Sequence, residues 1–322
     1  MLIPAILLVV FIIVLAKAAD IVVDSTSKIS KYLKIGPVAI GMILVAVVTS
    51  LPELAVAITS SVAGQGAISA GNVFGSNIAN ILLIMGVCAL LYKFKIPWKN
   101  AGEIGLILML TTVISAYIIF NSEVQGMALG LPAGIILLVL FVAYIGYLVK
   151  KNHSNEIDLE NSKVDRKKAG IAFLVFIAGI IVVFISSSLV VENAVILAEE
   201  LGVAQSIIGA TIIAIGTSLP ELSTSIQALR RKNYGVVIGN IVGSNMTNLT
   251  LVLGTTAIIN EINVNISIFV VALLFAIVAN AILLYFAAVR KDMGRYSGIL
   301  FLLIYAIFVF MMLEFQTAEL ST

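Results

Sequence analysis

The strongest constraint on this chain is that one pair of membrane segments occurs twice. Residues 41–86 align without a gap on residues 209–254 at an offset of 168, and 17 of the 46 pairs are identical. The identities concentrate on Thr, Ser, Asn, Glu, Gly and Pro inside otherwise apolar segments. Apolar identities would mean little, since lipid accepts any of several hydrophobes. Polar atoms at bilayer depth are costly, so the same set present twice argues for a site that draws on both copies.

Composition places the chain in its class. With 61% hydrophobic and 11% charged residues, and a mean hydropathy of +1.16, it reads as an all-α integral membrane protein. The formal net charge of +2 carries no message about nucleic acid. A single cysteine, Cys88, excludes an intrachain disulfide framework and a cysteine-cluster metal site, and reads as a small buried hydrophobe. The first apolar stretch has no basic region ahead of it and no convincing cleavage site after it, so it reads as a retained helix.

A spanning helix needs about 20 apolar residues. Ten stretches qualify, near 2–24, 36–62, 67–91, 101–120, 124–149, 170–191, 204–229, 235–259, 263–289 and 295–314. Of the 19 Lys and Arg, 18 fall after the first, third, fifth, seventh and ninth of these, with Lys17 as the exception. The positive-inside rule makes those connections cytoplasmic and puts both termini outside. Five spans per copy is an odd number, so the second copy enters the membrane the opposite way up, an inverted-topology repeat. The chain divides into a first repeat, 1–149, a cytoplasmic linker, 150–169, and a second repeat, 170–322. Within the linker, 10 of the 19 residues from Lys150 to Lys168 are charged, which predicts a solvated segment without a core. His153, the only histidine, lies there, away from every duplicated element.

Each copy opens with a block built around proline, Thr49-Ser50-Leu51-Pro52-Glu53 and Thr217-Ser218-Leu219-Pro220-Glu221. A proline inside a helix gives no N–H to the carbonyl four residues earlier, so the helix is expected to break and free acceptors near Val48–Thr49 and Gly216–Thr217. Broken helices persist in a membrane only where protein or a water-filled cavity takes up those groups. The four-residue spacing of Thr49 and Glu53, and of Thr217 and Glu221, predicts hydroxyl, carboxylate and freed carbonyl on one face. The second block puts Asn72, Ser76 and Asn80, and again Asn240, Ser244 and Asn248, at four-residue spacing. Beside these stripes, Gly71 and Gly75, or Gly239 and Gly243, form a small-xxx-small pattern that admits a close neighbour.

Oxygen ligands without His or thiolate suit hard cations such as Na⁺, Ca²⁺ or Mg²⁺. Two carboxylates neutralise one Ca²⁺ and can equally be satisfied by several Na⁺ ions, which is a physical basis for exchange. Polar side chains also serve as interhelical glue, worth on the order of 0.6–2 kcal/mol each. For Asn72, Asn77, Asn240 and Asn245 packing and function therefore both stay open. Glu53 and Glu221 differ, because an ionisable group in mid-span without a nearby base is functional by default. Lys17 and Asp20 read as a local i, i+3 pair, with Asp24 and Glu192 interfacial.

These paired blocks resemble the two alpha-repeats of the cation/calcium exchanger superfamily, and are most similar to the prokaryotic sodium/calcium exchangers. The resemblance implies a fold in which helices 2, 3, 7 and 8 form a core around the ions while helices 1 and 6 slide to switch access. It implies that Glu53 and Glu221, with Thr49 and Thr217, hold Ca²⁺. It adds Ser50, Ser76, Asn80, Ser218, Ser244 and Asn248, with the backbone of Ala46 and Ala214, at Na⁺ positions. Several relatives, including potassium-dependent ones, carry an aspartate where this chain has Asn248, which argues against potassium co-transport. Val48 stands where the second copy has Gly216, so the half-sites are expected to differ in backbone freedom.

The reading is a sodium/calcium antiporter working by alternating access, with Na⁺ and Ca²⁺ as transported ions and no cofactor. A proton-coupled cation exchanger is the rival within transport, since buried glutamates can be shifted far enough to carry protons. An intramembrane enzyme finds no HExxH motif, no histidine in a span and no Cys–His pair. Broken helices with mid-span carboxylates favour a carrier over a channel. The bilayer is the only other partner implied, with no protein partner, so a monomer suffices.

Overall fold

The computed structural model describes residues 2–33, 35–64, 66–96, 101–125, 129–153, 166–200, 214–262 and 266–319. Helix α1, Leu2–Leu33, follows from an apolar run whose only proline, Pro4, sits in the first turn, where its missing N–H does no harm. Its 32 residues are about 48 Å of helix at 1.5 Å per residue, against a hydrocarbon core of about 30 Å. The expected end near residue 24 is therefore too early. Lys28 and Lys31 ride on the helix's last turns instead of lying in a loop.

The remaining elements in chain order are α2 (Pro37–Thr49), α3 (Leu51–Val62), α4 (66–91), β1 (Phe94–Lys95), α5 (Ala101–Gln125), α6 (Leu131–His153) and α7 (Arg166–Glu200). They continue with α8 (Ala214–Thr217), α9 (Leu219–Arg230), α10 (234–259), α11 (266–290), β2 (Asp292–Met293) and α12 (Arg295–Glu319). Among the described residues eight helices are long and apolar enough to cross a membrane, or nine if α2 and α3 count as one broken span. The expected seventh span, 204–229, is described only from Ala214, residues 201–213 lying outside the described set. The fifth helix begins at Leu131, later than the expected 124. Both edges of the charged connection are helical, since α6 runs to His153 and α7 starts at Arg166; residues 154–165 lie outside the described set.

The chain forms two compact units, Met1–Thr49 with Ile145–Gly243, and Ser50–Tyr144 with Ser244–Thr322, so each unit draws on both sequence copies. In the first unit α1 packs along α7, and Ala19, Val22 and Val23 of the one and Phe176, Ile180 and Val183 of the other are buried. A Cβ added at Gly179 would lie 3.0 Å from the Val22 side chain, which shows how closely the two helices approach. Their other faces expose Val9, Ile13, Leu174 and Ile185, as contact with lipid tails requires. The first turns of α10 meet α2 through glycine. A Cβ at Gly239 would collide with the Val38 carbonyl oxygen and lie 2.9 Å from Gly41 Cα, and one at Gly243 would lie 2.6 Å from Ala46 Cβ. The small-xxx-small reading of that pair is correct, and close backbone approach is what such stripes provide in place of a hydrophobic driving force. Nothing described lies within 4 Å of a Cβ at Gly71 or Gly75.

At one end of the first unit, Arg231 donates to both oxygens of Asp20, at 2.6 and 2.8 Å, and to Asp24 at 3.0 Å. Asp24 also holds Lys28 at 2.6 Å. The expected Lys17–Asp20 pair is thus replaced: a planar guanidinium fork matches a carboxylate better than the flexible ammonium one turn away.

In the second unit α12 lies against α4. Leu302 Cγ would be 3.1 Å from a Cβ at Gly86, and Gly86 O 2.7 Å from one at Gly298. α6 meets α10 at Gly134 and Gly254, where a Cβ on Gly134 would stand 2.8 Å from the Gly254 carbonyl oxygen. A short antiparallel pairing, Phe94 with Met293 and Lys95 with Asp292, joins the chain after α4 to the chain before α12. Phe74 packs edge-on against Phe269, with ring centroids 5.3 Å apart. α4 and α10 are the most enclosed spans, 78% and 94% of their apolar windows being buried. The duplicated second blocks therefore sit on the helices least exposed to lipid.

Gly239→Ala is expected to lower stability by about 1–3 kcal/mol through overpacking against backbone that cannot yield. Gly170→Ala, where nothing lies within 4 Å of the added carbon, is expected to be neutral or stabilising by about 0.5 kcal/mol. Thermal unfolding of both variants in detergent checks the contrast.

Candidate functional site

Both proline blocks break their helices as expected, at Ser50 and at Ser218. Ser50 (φ −84°, ψ 7°) and Ser218 (φ −91°, ψ 5°) have left helical geometry and stand before α3 and α9, with Pro52 and Pro220 in the first turns that follow. Neither serine hydroxyl caps its helix. Glu53 and Glu221 occupy those same first turns, where the positive end of the helix dipole favours a carboxylate. Both are 1% exposed.

The first unit holds Ala46, Thr49, Ala214, Thr217, Ser218 and Glu221 of the expected ligands. Thr49 Oγ1 donates to Asn240 Oδ1 at 3.2 Å and lies 3.4 Å from the Ala46 carbonyl oxygen. The Asn240 amide nitrogen donates to the Glu221 carbonyl at 3.3 Å, to Thr224 Oγ1 at 3.1 Å and to Ser225 Oγ at 3.2 Å. Asn240 is therefore the hub that ties Thr49, from one copy, to the turn carrying Glu221, from the other.

The second unit holds Ser50, Glu53, Ser76, Asn80, Ser244 and Asn248. The Asn72 amide donates to the Glu53 carbonyl at 3.4 Å, the counterpart of the Asn240–Glu221 bond. Across α4 and α10 the amides exchange bonds in mirror-image fashion. Asn77 Nδ2 donates to Asn245 O at 3.4 Å, and Asn245 Nδ2 to Asn77 O at 3.3 Å. Asn80 Nδ2 donates to Asn245 Oδ1 at 3.0 Å, and Asn248 Nδ2 to Asn77 Oδ1 at 3.2 Å. Exchanging the copies, by adding 168 to the first-copy residue and subtracting it from the second-copy residue, turns one bond of each couple into the other, as in a self-complementary two-fold contact.

These bonds use the amide nitrogens of Asn80 and Asn248 as donors and leave their carbonyl oxygens without one. Asn80 Oδ1 and Asn248 Oδ1 are buried with no hydrogen-bond partner, as are Ser50 Oγ, Ser218 Oγ and Glu53 Oε2. All five are oxygens that the sequence marks as ligands. A buried acceptor left without a partner costs about 1–3 kcal/mol; Ser50, Glu53, Asn80 and Asn248 of the second unit and Ser218 of the first each carry such an oxygen. Acceptor oxygens of this kind suit a hard cation. Ser115, Ser187 and Asn280 carry further unbonded buried oxygens elsewhere, on α5, α7 and α11.

Sequence reasoning missed Thr224 and Ser225. Their counterparts in the first copy are Val56 and Ala57, so comparing copies hides them, although their i+3 and i+4 spacing from Glu221 was visible. It also missed the π turns, in which the backbone bonds i to i+5 and the helix widens locally. These run over Gly41–Val45, just before Ala46, and over Ala79–Ile84 and Asn248–Val252, which contain Asn80 and Asn248. Such turns re-aim side chains and are frequent at functional sites.

A sequence model described as sodium/calcium exchanger protein matches residues 3–150 and 171–314. The inner membrane protein YrbG of Escherichia coli is 33% identical over 267 residues, 80% of this chain and 81% of its own length. The sodium/calcium exchanger MaX1 of Methanosarcina acetivorans is 30% identical over 331 residues, covering 92% of this chain and 94% of its own. Among solved structures, the sodium-calcium exchanger NCX_Mj soaked with 10 mM Na⁺ and zero Ca²⁺ superposes with a TM-score of 0.81 at 28% identity, over 95% of this chain and 98% of that one.

Asn77→Ala and Asn245→Ala are each expected to destabilise the protein, and the double variant to lose less than the sum, with a coupling of about 0.5–2 kcal/mol. A double-mutant cycle on thermal unfolding measures it; strict additivity would show that the exchanged amides act independently.

Proposed function

We propose that this chain, which belongs to the sodium/calcium exchanger protein family, exchanges Na⁺ for Ca²⁺ across the membrane by alternating access. The observation that carries the reading is the set of buried oxygens without partners at Glu53 and at two couples of counterparts from the sequence copies, Ser50 with Ser218 and Asn80 with Asn248. Glu53 and Glu221, with Thr49 and Thr217, are the Ca²⁺ ligands. Ser50, Ser76, Asn80, Ser218, Ser244, Asn248 and the carbonyls of Ala46 and Ala214 complete the Na⁺ positions. Asn72, Asn77, Asn240 and Asn245 are positioning residues, which hold amide nitrogens away from the ions and carbonyl oxygens toward them.

Coupling follows from charge. With cations bound, the carboxylates are near neutral and can pass between inward- and outward-open states; empty, they are two buried charges whose desolvation is prohibitive. Either Ca²⁺ or a set of Na⁺ ions meets that condition, so one ion leaves only as the other replaces it. An inward Na⁺ gradient then drives Ca²⁺ out. In this reading the two copies are inverted repeats, the basic connections including 150–169 are cytoplasmic, both termini are outside, and the membrane is the plasma membrane. Because Asn248 brings an amide and no negative charge, the exchanger works without K⁺.

Reconstituted into liposomes loaded with Na⁺, the protein is expected to take up ⁴⁵Ca²⁺, and vesicles loaded with K⁺ or choline are not. Uptake driven by an imposed pH gradient without Na⁺ would instead make it a proton-coupled exchanger. Glu53→Gln and Glu221→Gln are each expected to abolish Ca²⁺ flux; near-normal flux in either would sink the ligand assignment.

A further inference from the structure

In the second unit a cavity of about 530 Å³ opens where the ends of α4, α11 and α12 meet beside the β1–β2 pairing. Its polar part is basic. Lys93, Arg290 and Arg295 line it together with one acid, Asp292. Lys93 Nζ is 3.3 Å from Asp292 Oδ2, so those two charges offset each other. Arg290 and Arg295 make no hydrogen bond or ion pair with any described residue.

Local backbone structure aims both arginines. α11 ends in a π turn, Phe286–Arg290, closed by Lys291 in the left-handed region at φ 59°, which turns the chain sharply right after Arg290. Arg295 opens α12, a helix of 25 residues whose first turn carries free N–H groups and the positive end of the dipole. Ser297 fixes that turn, its hydroxyl accepting from Gly294 N at 2.8 Å and donating to Gly294 O at 2.7 Å.

The wall also carries outward-facing leucines and tyrosines. Leu90 and Leu300 are 36% and 43% exposed, and Tyr285 and Tyr296 are 51% and 91% exposed. A soluble anion would need the guanidinium groups and gain nothing from the leucines. A membrane lipid uses both, with tyrosines at the headgroup level, where amphipathic rings settle. Planar guanidinium forks match phosphate oxygens in a way an ammonium does not.

We propose that this cavity binds the headgroup of an anionic phospholipid, Arg290 and Arg295 taking the phosphate while Leu90 and Leu300 lie along the acyl chains. The site is separate from the duplicated motifs and does not depend on which ions the protein moves. Basic pockets between membrane helices are suited to such headgroups, and the surface charge of an anionic leaflet adds to the attraction.

Native mass spectrometry of the full chain in neutral detergent tests it, with phosphatidylglycerol, phosphatidylcholine and inorganic phosphate as separate probes. The wild-type chain is expected to retain one phosphatidylglycerol in preference to phosphatidylcholine. R290Q/R295Q is expected to bind it about tenfold more weakly, the scale of losing charge-assisted hydrogen bonds. A charge-matched control, K31Q/K167Q, removes two exposed lysines on the other unit and is expected to bind as wild type. R290K/R295K, which keeps the charge and loses the fork, is expected to fall between. Equal phosphatidylglycerol retention by wild type and R290Q/R295Q, or an equal loss in K31Q/K167Q, would overturn the assignment. Retention of inorganic phosphate with no preference between the two lipids would overturn it in favour of a soluble anion.

Discussion

A carboxylate enclosed among membrane helices is the constraint on which the rest of this structure depends. Glu53 and Glu221 are both buried, and no described lysine or arginine forms an ion pair with Glu53. Each sits just after a proline-driven helix break, so the fold answers its charge with the free end of a helix dipole. The breaks also free serine hydroxyls that cap nothing. Such irregular backbone has no place against lipid, which is why the helices around it need glycine. Gly239 and Gly243 bring α10 against α2 backbone to backbone, at distances no side chain would allow.

Amide groups do a second job there. An asparagine brings two donors and one acceptor, and near a cation the donors are a liability. Asn77, Asn80, Asn245 and Asn248 each direct an N–H group at another's oxygen, and the Oδ1 atoms of Asn80 and of Asn248 have no partner. On the first unit Asn240 works differently, gathering Thr49, Thr224, Ser225 and the Glu221 carbonyl around one side chain. The two halves of the duplication are alike in plan and unlike in detail.

Much of this was legible in the sequence, because polar residues in apolar segments are rare enough to be informative and a gapless duplication doubles the signal. The all-helical membrane architecture, the breaks near Pro52 and Pro220 and the pairing of Gly239 with Gly243 follow from residue chemistry and spacing. Other features could not be read there. α1 runs on to Leu33, past the apolar run, and the bonds from Arg231 to Asp20 and Asp24 on that helix join residues more than 200 positions apart. π turns have no sequence signature of their own. Thr224 and Ser225 were invisible to a comparison of copies because the first copy has Val56 and Ala57. The amide pairing required knowing which faces of α4 and α10 meet, a tertiary fact.

The reciprocal bonding of Asn77 and Asn245 also bears on how such a chain can change over time. Each residue completes the other, so a substitution in one copy strands donors and acceptors in its counterpart. Tolerated replacements at these positions should arrive in matched pairs, while neighbours outside the exchange, such as Val56 against Thr224, are free to diverge. The duplication is thereby divided into positions that share one history and positions that each keep their own.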